Sequence, residues 1–361
     1  MQLTYHYGIK DKHAGELQRQ ARAVNIVWNY CNETQQKAVR DGREWLSYSD
    51  LAHLTAGSGP LLDIHSHTIQ RVCRQYDKSR RQHKRPWLRF RGRKSPGWVP
   101  FNTGHVSFRD GAFFFRGGRY DVWLDRAPPE GSSILGAGSF SQDARGRWYL
   151  NIPVDVECAA AAPLSYVGID LGRKYLATLS DEKRIVAPRF YRDSEAQLAK
   201  SQRARKGRRA RAVHAKIANR RKDFLHKESN KLATQYGLIV VGDVNPKNII
   251  AETTISNIAK AQHDVGWASF KTMLAYKSFR NGGSMLEVSE ANTSRTCAAC
   301  ECMAGPEGRA GLNKRVWRCD GCGSVHDRDV NAARNILRLG LQALVAGASV
   351  AAGNPGLQAG E

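Results

Sequence analysis

The fold class is decided by Tyr166-Val167-Gly168-Ile169-Asp170-Leu171-Gly172, an apolar strand that carries one acidic residue. A second apolar strand, residues 238–241, runs into Gly242 and Asp243, and a helix begins near Asp329. A second domain, in which strands and helices alternate, is therefore predicted to start at Tyr166. A carboxylate among apolar residues costs free energy unless it is paired, hydrogen-bonded or metal-bound. These acids are therefore candidates for chemistry.

The chain before this stretch is organised differently. Residues 1–8 alternate like a β-strand, residues 13–84 carry apolar residues at helical spacing, and short aromatic runs bounded by glycine follow Pro86. Asp110-Gly111 between two such runs is typical of a β-hairpin. We therefore expect a helical segment inserted after the first strand of a β-rich domain. The apolar stripe of its first helix is assigned to Val24, Ile26, Val27 and Tyr30.

Charge narrows the class of partner. The 361 residues include 56 Lys or Arg against 33 Asp or Glu, a formal net charge of +23, while 41% of the residues are hydrophobic. The hydrophobic fraction excludes a wholly disordered chain, and the charge favours a polyanionic partner, above all nucleic acid. The first residues lack the apolar core of a signal peptide, and no apolar run is long enough to span a bilayer. The expected location is the cytoplasm.

Two segments concentrate the positive charge. Residues 80–94 hold eight Lys or Arg among 15 residues, and residues 200–227 hold twelve among 28 on a predicted helix. Cations this dense repel one another, and a bound phosphate backbone relieves that repulsion. Trp87 and Phe90 lie between the cations of the first segment; such rings could stack on unpaired bases, but core packing is favoured for most of them. The candidate nucleic-acid contacts are Arg80, Arg81, Lys84, Arg85, Arg89, Arg91, Arg203, Arg205, Lys206, Arg208, Arg209, Arg211, Arg220 and Arg221.

Four cysteines form a metal-binding pattern. Cys297 and Cys300 make one C-x-x-C pair, and 18 residues separate it from the second pair, Cys319 and Cys322. This spacing is typical of a zinc ribbon, in which each pair turns two thiolates toward one tetrahedral ion. Because all four ligands are thiolates, the zinc is expected to be structural. Cys302 is interpreted as a bystander.

The acids predict a second metal site. In a basic chain that binds polyanions, converging carboxylates suggest a divalent-metal site for phosphodiester hydrolysis. Two Mg²⁺ ions about 4 Å apart could activate water and stabilise the leaving oxygen. The alternative is that each acid caps a helix or pairs with an arginine. Asp327, beside Arg328, is interpreted as such a structural pair.

Three motifs together resemble the TnpB (OrfB-type) family of transposon-encoded proteins, relatives of the type V CRISPR effectors. They are Gly168-Ile169-Asp170-Leu171-Gly172, the cysteine ribbon after Thr293-Ser294, and His326-Asp327-Arg328-Asp329-Val330-Asn331-Ala332-Ala333-Arg334-Asn335-Ile336. The resemblance is specific over residues 166–338, whereas residues 1–155 agree in layout only. It implies an RNA-guided DNA endonuclease that uses a guide RNA from the transposon end, double-stranded target DNA, structural Zn²⁺ and catalytic Mg²⁺. It leaves a homodimer open, and it places the protein in a prokaryotic cytoplasm, on the nucleoid when bound to DNA.

The same resemblance implies a multidomain α+β fold. A β-barrel wedge domain with a helical recognition insert precedes a RuvC-like nuclease domain, which is RNase H-like and contains the zinc ribbon. In chain order the implied parts are residues 1–12 and 85–157 for the wedge domain, 13–84 for the insert, 164–294 and 326–339 for the nuclease domain, 295–325 for the ribbon and 340–361 for a flexible tail.

One position departs from the family pattern. The second catalytic acid of the family is usually a Glu that ends the strand equivalent to residues 238–241, but Gly242 stands there. Asp243 could bind the metal after a backbone adjustment, or Glu290 could supply a carboxylate from the neighbouring strand, and the longer Glu290 is favoured. Otherwise the protein is a guided, repressor-like DNA binder without nuclease activity. Because Asp170 and Asp329 keep their motifs, we expect an active, rearranged centre.

Overall fold

The computed structural model describes residues 2–102, 104–124, 137–172, 174–243, 266–307, 311 and 314–346. The chain divides into two units, Met1–Val156 and Glu157–Glu361.

Two antiparallel sheets form the β part of the first unit. One has the order β2-β7-β8-β1-β6 and contains β1 (Gln2–Ile9), β2 (Trp98–Phe101), β6 (Val122–Trp123), β7 (Gly138–Gln142) and β8 (Trp148–Asp155). The other is β3 (Val106–Arg109), β4 (Ala112–Phe115) and β5 (Gly118–Tyr120). Asp110-Gly111 joins β3 to β4, which confirms the predicted hairpin. Aromatic side chains of both sheets, among them Phe101, Phe113 and Phe140, share one core.

Four helices follow β1 and confirm the predicted helical segment. They are α1 (Ala14–Arg40), α2 (Tyr48–Leu54), α3 (Gly59–Leu62) and α4 (Ser66–Gln82), and a 3₁₀ turn, Asp11–His13, precedes them. The predicted stripe on α1 is wrong at two of its four positions, because Ile26 and Tyr30 are exposed. The buried face runs instead through Val24, Val27, Trp28 and Cys31, the residues that pack against α4 in the helical core.

A five-stranded sheet organises the second unit. Its strands are β9 (Tyr166–Leu171), β10 (Tyr175–Leu179), β11 (Arg184–Val186), β12 (Leu238–Gly242) and β13 (Ser284–Val288), in the order β11-β10-β9-β12-β13. The first three are antiparallel, whereas β12 runs parallel to both β9 and β13. The carboxyl ends of β9, β12 and β13 therefore meet at one edge of the sheet.

Helices cover both faces of this sheet. Side chains alternate along a strand, so that Val167 and Ile169 pack with α6 (Gly207–Gln235) and α7 (Trp267–Arg280) on one face. Gly168 lies on the other face, against α8 (Arg328–Val345). A Cβ atom at Gly168 would lie 2.1 Å from the Ala333 carbonyl oxygen, which explains the glycine. Asp170, two residues further along β9, therefore points to the face that α8 covers.

Two predicted helices have different bounds in the structure. The basic segment 200–227 is not one helix, because α5 (Phe190–Arg203) ends before a turn at Arg205, whose φ is +50°. α5 and α6 form a pair that buries Leu198 against Ile217. The sequence predicts that the helix from Asp329 ends at Leu339, but α8 continues to Val345, because Gly340 packs closely on Val240 instead of ending the helix. Apolar residues at helical spacing also predict a helix over 257–280, of which residues 257–265 lie outside the described residues, as do residues 347–361 of the predicted tail.

The cysteine-rich segment contributes a short hairpin of β14 (Val316–Arg318) and β15 (Val325–Asp327), which leads directly into α8. None of the helices in the described ranges has the length and apolar character that a membrane crossing requires.

Candidate metal centres and nucleic-acid surface

Three carboxylates gather where the parallel strands end. The pairing of Val241 with Ile169 sets Gly242, at the end of β12, level with Asp170 on β9. Glu290 follows the end of β13, on the other side of β12. Asp329 lies in the first turn of α8, the helix that covers this face. In open α/β sheets the carboxyl ends of the strands are the usual place for a ligand site.

The charges of Asp329 and Glu290 both act on Asp170. The pKa of Asp170 is raised to about 8, first by burial and then by the negative charges of Asp329 and Glu290. The pKa of Glu290 is also raised, by burial and by the charge of Asp243. Like charges held together in a desolvated place disfavour ionisation unless a cation neutralises them. Asp170, Glu290 and Asp329 are not among the groups of described residues whose ligand atoms all lie within 4.8 Å of one another.

The Glu290 side chain lies beside Gly242, the position at which the family pattern has a Glu. A Cβ atom built on Gly242 would lie 3.0 Å from Glu290 Oε2 and 3.3 Å from Glu290 Cβ. Asp243 is exposed, and its Oδ1 accepts a hydrogen bond from the Glu290 backbone amide at 3.2 Å. Asp243 therefore supports the backbone of Glu290, while the Glu290 side chain lies where a residue-242 side chain would be.

An arginine from the cysteine-rich segment contacts the carboxylate on α8. Arg315 Nη1 lies 2.9 Å from Asp329 Oδ1 and 3.1 Å from Asp329 Oδ2, and its charge lowers the pKa of Asp170. The sequence analysis did not identify Arg315. Its position just before β14, whose Val316 pairs with Asp327, is the signal that could have indicated it.

Asp327 is structural, as expected, but its partner differs from the predicted one. Its carboxylate accepts hydrogen bonds from the backbone amides of Asp329 and Val330, both at 3.1 Å, and so caps α8. Its ion pair is with Arg184, at 2.7 Å, and not with the adjacent Arg328. A carboxylate at a helix N-terminus also interacts favourably with the helix dipole.

Two buried asparagines tie the helix of Asp329 to the loop after Glu290. The side-chain amides of Asn331 and Asn335 both donate to the backbone oxygens of Thr293 and Thr296, over 2.7–3.1 Å. Thr293 Oγ1 in turn donates to the Glu290 backbone oxygen at 2.8 Å. Both asparagines belong to the motif at residues 326–336, which by itself assigns them no role. Their spacing of four residues places them on one face of α8, where they attach the helix to the loop after Glu290.

The four cysteines of the predicted ribbon converge. Their sulfur atoms all lie within 4.8 Å of one another, with Cys297 3.7 Å from Cys322 and Cys300 3.6 Å from Cys319. A regular tetrahedron of thiolates about 2.3 Å from zinc has sulfur–sulfur edges of about 3.8 Å. The cluster could therefore bind a metal ion of this kind, and Cys302 is not one of its members.

The cysteine cluster is connected to the carboxylates through its neighbours. His326 Nε2 lies 3.0 Å from the Cys297 sulfur, and His326 directly precedes Asp327, the cap of α8. Hydrogen bonds to Ser324 lower the pKa of Cys322 to about 6, which favours the thiolate form that binds metals.

The predicted nucleic-acid contacts fall into two groups. The prediction is corrected at Arg80 and Arg91. Arg80 is fully buried, and its Nη2 lies 2.8 Å from Asp77 Oδ1. Arg91 donates hydrogen bonds to Asn25 Oδ1 and to the Pro96 backbone oxygen. Both guanidiniums are engaged in packing the helical part of the first unit. Arg221 is half-buried, and the remaining predicted contacts are exposed: Arg81, Lys84, Arg85, Arg89, Arg203, Arg205, Lys206, Arg208, Arg209, Arg211 and Arg220.

Comparisons with known proteins point to one family. A family model described as "Cas12f1-like, TNB domain" matches residues 267–336, and the OrfB model described as "Probable transposase" matches residues 151–251. A protein of Streptomyces pristinaespiralis named as a candidate RNA-guided DNA endonuclease is 31% identical, over 96% of this chain and 90% of that protein. InsQ of Escherichia coli K12, which carries the same description, is 32% identical over 58% of each chain. The TnpB-like protein L79 of Acanthamoeba polyphaga mimivirus is 26% identical, over 62% of this chain and 41% of that protein.

Among solved structures, a Cas12f1–sgRNA–target DNA complex matches 93% of this chain and 99% of that chain, with 15% identity and a TM-score of 0.38.

Proposed function

The chain belongs to the TnpB family, and on that premise we propose that it cuts DNA under the guidance of an RNA, at a metal centre formed by Asp170, Asp329 and Glu290. The observation that carries the proposal is the placement of these carboxylates at the ends of the parallel strands and the start of α8, where the charges of Asp329 and Glu290 both act on Asp170. The strand order, three antiparallel strands and then two parallel ones, supports an RNase H-like, RuvC-type assignment.

The residues present fit Mg²⁺. Carboxylate oxygens are the ligands that Mg²⁺ prefers, and the pKa of Asp170 is raised by burial and by neighbouring negative charge, which a divalent cation would neutralise. When bound, Mg²⁺ would supply an activated water and charge stabilisation at the scissile phosphate. Asp170, Asp329 and Glu290 would hold the ions, and the hydrogen bonds of Asn331 and Asn335 would keep the carboxylates in register.

Glu290 takes the place of the family's second acid. Its side chain lies against Gly242, and the Asp243 carboxylate supports its backbone. An acid supplied from β13 instead of β12 reaches the same space because the two strands are parallel neighbours. The lack of a side chain at position 242 leaves room for Glu290, because a Cβ atom there would lie only 3.0 Å from Glu290 Oε2.

Arg315 is a second cationic element of the centre. It pairs with Asp329 here, and a guanidinium beside the metal ligands is suited to contact a phosphate of the DNA backbone. The cysteine cluster would bind structural Zn²⁺ and so hold the segment that carries Arg315. We also propose that the two sheets of the first unit form the wedge domain and that α1 to α4 form its recognition insert.

The test is cleavage of a plasmid with a matched target by the protein–guide RNA complex in Mg²⁺. Asp170→Asn and Glu290→Gln should each reduce cutting by roughly a thousand-fold, because each removes charge that holds the metal ions. Binding of the target DNA should be retained. Glu287→Gln is the matched control, since Glu287 lies on β13 but pairs with Lys271, and it should cut like the parent.

A relocation of the acid tests the geometry itself. Glu290→Ala should abolish cutting. The double variant Glu290→Ala, Gly242→Glu should recover part of the activity, because Gly242 is not in the left-handed region of φ and its backbone can carry a side chain. If Asp243→Asn abolishes cutting and Glu290→Gln does not, Asp243 is the second acid. If the parent complex binds matched DNA but never cuts it in Mg²⁺ or Mn²⁺, the protein is a guided DNA binder without nuclease activity.

A further inference from the structure

One surface of the first unit has the composition of a base-stacking platform. Residues 85–94, here called the basic strap, connect α4 to β2 without helix or strand. Trp87 is 42% exposed and Phe90 is 53% exposed, although Leu88 between them packs on the helical core. Neither ring makes an aromatic or cation–π contact with any other described residue.

The strap is held rigidly although it lacks secondary structure. Asn32 donates to the Leu88 oxygen at 2.9 Å and accepts from the Leu88 amide at 2.8 Å. Asn29 makes the same pair of bonds with Arg91, at 2.8 and 2.7 Å. Each asparagine of α1 therefore pairs with the strap as a neighbouring strand would, and it satisfies backbone groups that otherwise need water.

Charge surrounds the exposed rings. Arg85, Arg89, Arg93 and Lys94 are exposed, and none of them forms an ion pair or side-chain hydrogen bond with a described residue. The strap contains no acidic residue. Two rings kept in water by a fixed backbone, among cations without partners, are not explained by packing.

We propose that the basic strap is a binding site for an unpaired stretch of the guide RNA, with bases stacked on Trp87 and Phe90 and phosphates beside the four cations. The proposal rests on the proposed function, which supplies the RNA. Stacking on aromatic rings tolerates any base because every base has a π-face, and it requires bases that are not enclosed in a duplex.

The rigid backbone supports this assignment. Binding costs free energy when side chains and loops must be ordered, and hydrogen bonds that already fix the strap reduce that cost. An RNA strand fits better than a membrane or an acidic peptide, because neither of those presents flat rings to match Trp87 and Phe90. The same RNA as a fully paired duplex offers phosphates but no free base faces.

The experiment measures affinity by fluorescence anisotropy with the full-length protein. The probes are a short unstructured single-stranded RNA, the same strand paired with its RNA complement, and single-stranded DNA of the same sequence. The variants are Trp87→Ala, Phe90→Ala, Trp87→Phe and Arg89→Gln. Trp123→Ala is the matched control, because Trp123 is an exposed tryptophan of the same unit outside the strap.

Trp87→Ala should weaken binding of the single-stranded RNA about ten-fold and leave duplex binding unchanged. Trp87→Phe should keep most of the affinity, and Trp123→Ala should keep all of it. The salt dependence should be unchanged in the ring variants, because stacking releases no counterions. In Arg89→Gln the slope against the logarithm of salt should fall by about 0.7.

Each other outcome overturns the proposal. Equal losses on single-stranded and duplex RNA would mean a structural role for the rings, and so would a loss in Trp87→Phe as large as in Trp87→Ala. Unchanged affinity for the single-stranded RNA in both Trp87→Ala and Phe90→Ala would show that the strap does not bind RNA through its rings. A loss of affinity confined to the single-stranded DNA would contradict an RNA ligand. A parent protein that binds no RNA would overturn the proposed function as well, whereas a parent that binds RNA and cuts DNA limits the failure to the strap.

Discussion

The four thiols and the three carboxylates of the second unit are assembled in opposite ways. The thiols come from two C-x-x-C turns within residues 297–322, so that each pair is already together in a short peptide. Asp170 lies on a strand, Glu290 in the loop after another strand and Asp329 in the first turn of a helix, and only the folded sheet brings these elements to one edge. Metal binding to the four thiols can therefore contribute free energy to folding. The three carboxylates repel one another, and the rest of the fold must hold them together.

Removal of a thiol should therefore have the largest effect. Cys297→Ser should lose the zinc and loosen residues 295–325, because the free energy of zinc binding, about 10–16 kcal/mol in small zinc domains, is also folding free energy. Metal analysis and hydrogen exchange would measure both effects, with Cys302→Ser as the control that keeps the metal. A parent protein purified without chelator that holds far less than about one zinc per chain would contradict a zinc ribbon.

Removal of one asparagine clamp should have the next largest effect. Asn335→Ala leaves the buried oxygens of Thr293 and Thr296 with fewer donors, and the free energy of unfolding should fall by about 1–3 kcal/mol. Cutting should fall as well, because Glu290 and Asp329 lose part of the connection between them. Denaturant unfolding and a cleavage assay would measure the two effects. Full activity in a destabilised Asn335→Ala protein would show that the clamp serves stability alone.

Removal of a carboxylate should act on stability with the opposite sign. In protein freed of divalent metal, Asp170→Asn should raise the free energy of unfolding by about 1 kcal/mol at neutral pH, because the raised pKa of Asp170 makes the carboxylate take up a proton on folding, a cost that a neutral amide of the same shape does not carry. Thermal melting in chelator, compared with melting in Mg²⁺, would measure the change. If Asp170→Asn melts at a lower temperature than the parent protein in chelator, Asp170 supports the fold, as the thiols are predicted to do.

Removal of surface charge should have the smallest effect on the fold. Arg208→Ala, Arg209→Ala and Arg211→Ala together should leave the melting temperature unchanged, because all three side chains are exposed on α6. RNA and DNA binding should weaken for all sequences, and the salt dependence should flatten as fewer counterions are released. Titrations at several salt concentrations would measure it. An unchanged slope would show that this part of α6 does not contact phosphates.

The amino-acid sequence was sufficient wherever the deciding interactions are local. The apolar run over residues 166–171, the Asp110-Gly111 turn and the cysteine spacing predicted a strand, a hairpin and a four-thiol cluster, and each is present. These features depend on neighbouring residues, whose geometry the chain sets directly.

Only the tertiary structure decided which side chains share a site. Side-chain alternation left open whether Asp243 or Glu290 lies beside Asp170, and the parallel pairing of β12 with β13 placed Glu290 against Gly242. The burial of Arg80, the pairing of Arg315 with Asp329 and the extension of α8 beyond Gly340 likewise depend on contacts between residues far apart in the chain. Periodicity and composition describe one element at a time, whereas these contacts arise only when elements pack against each other.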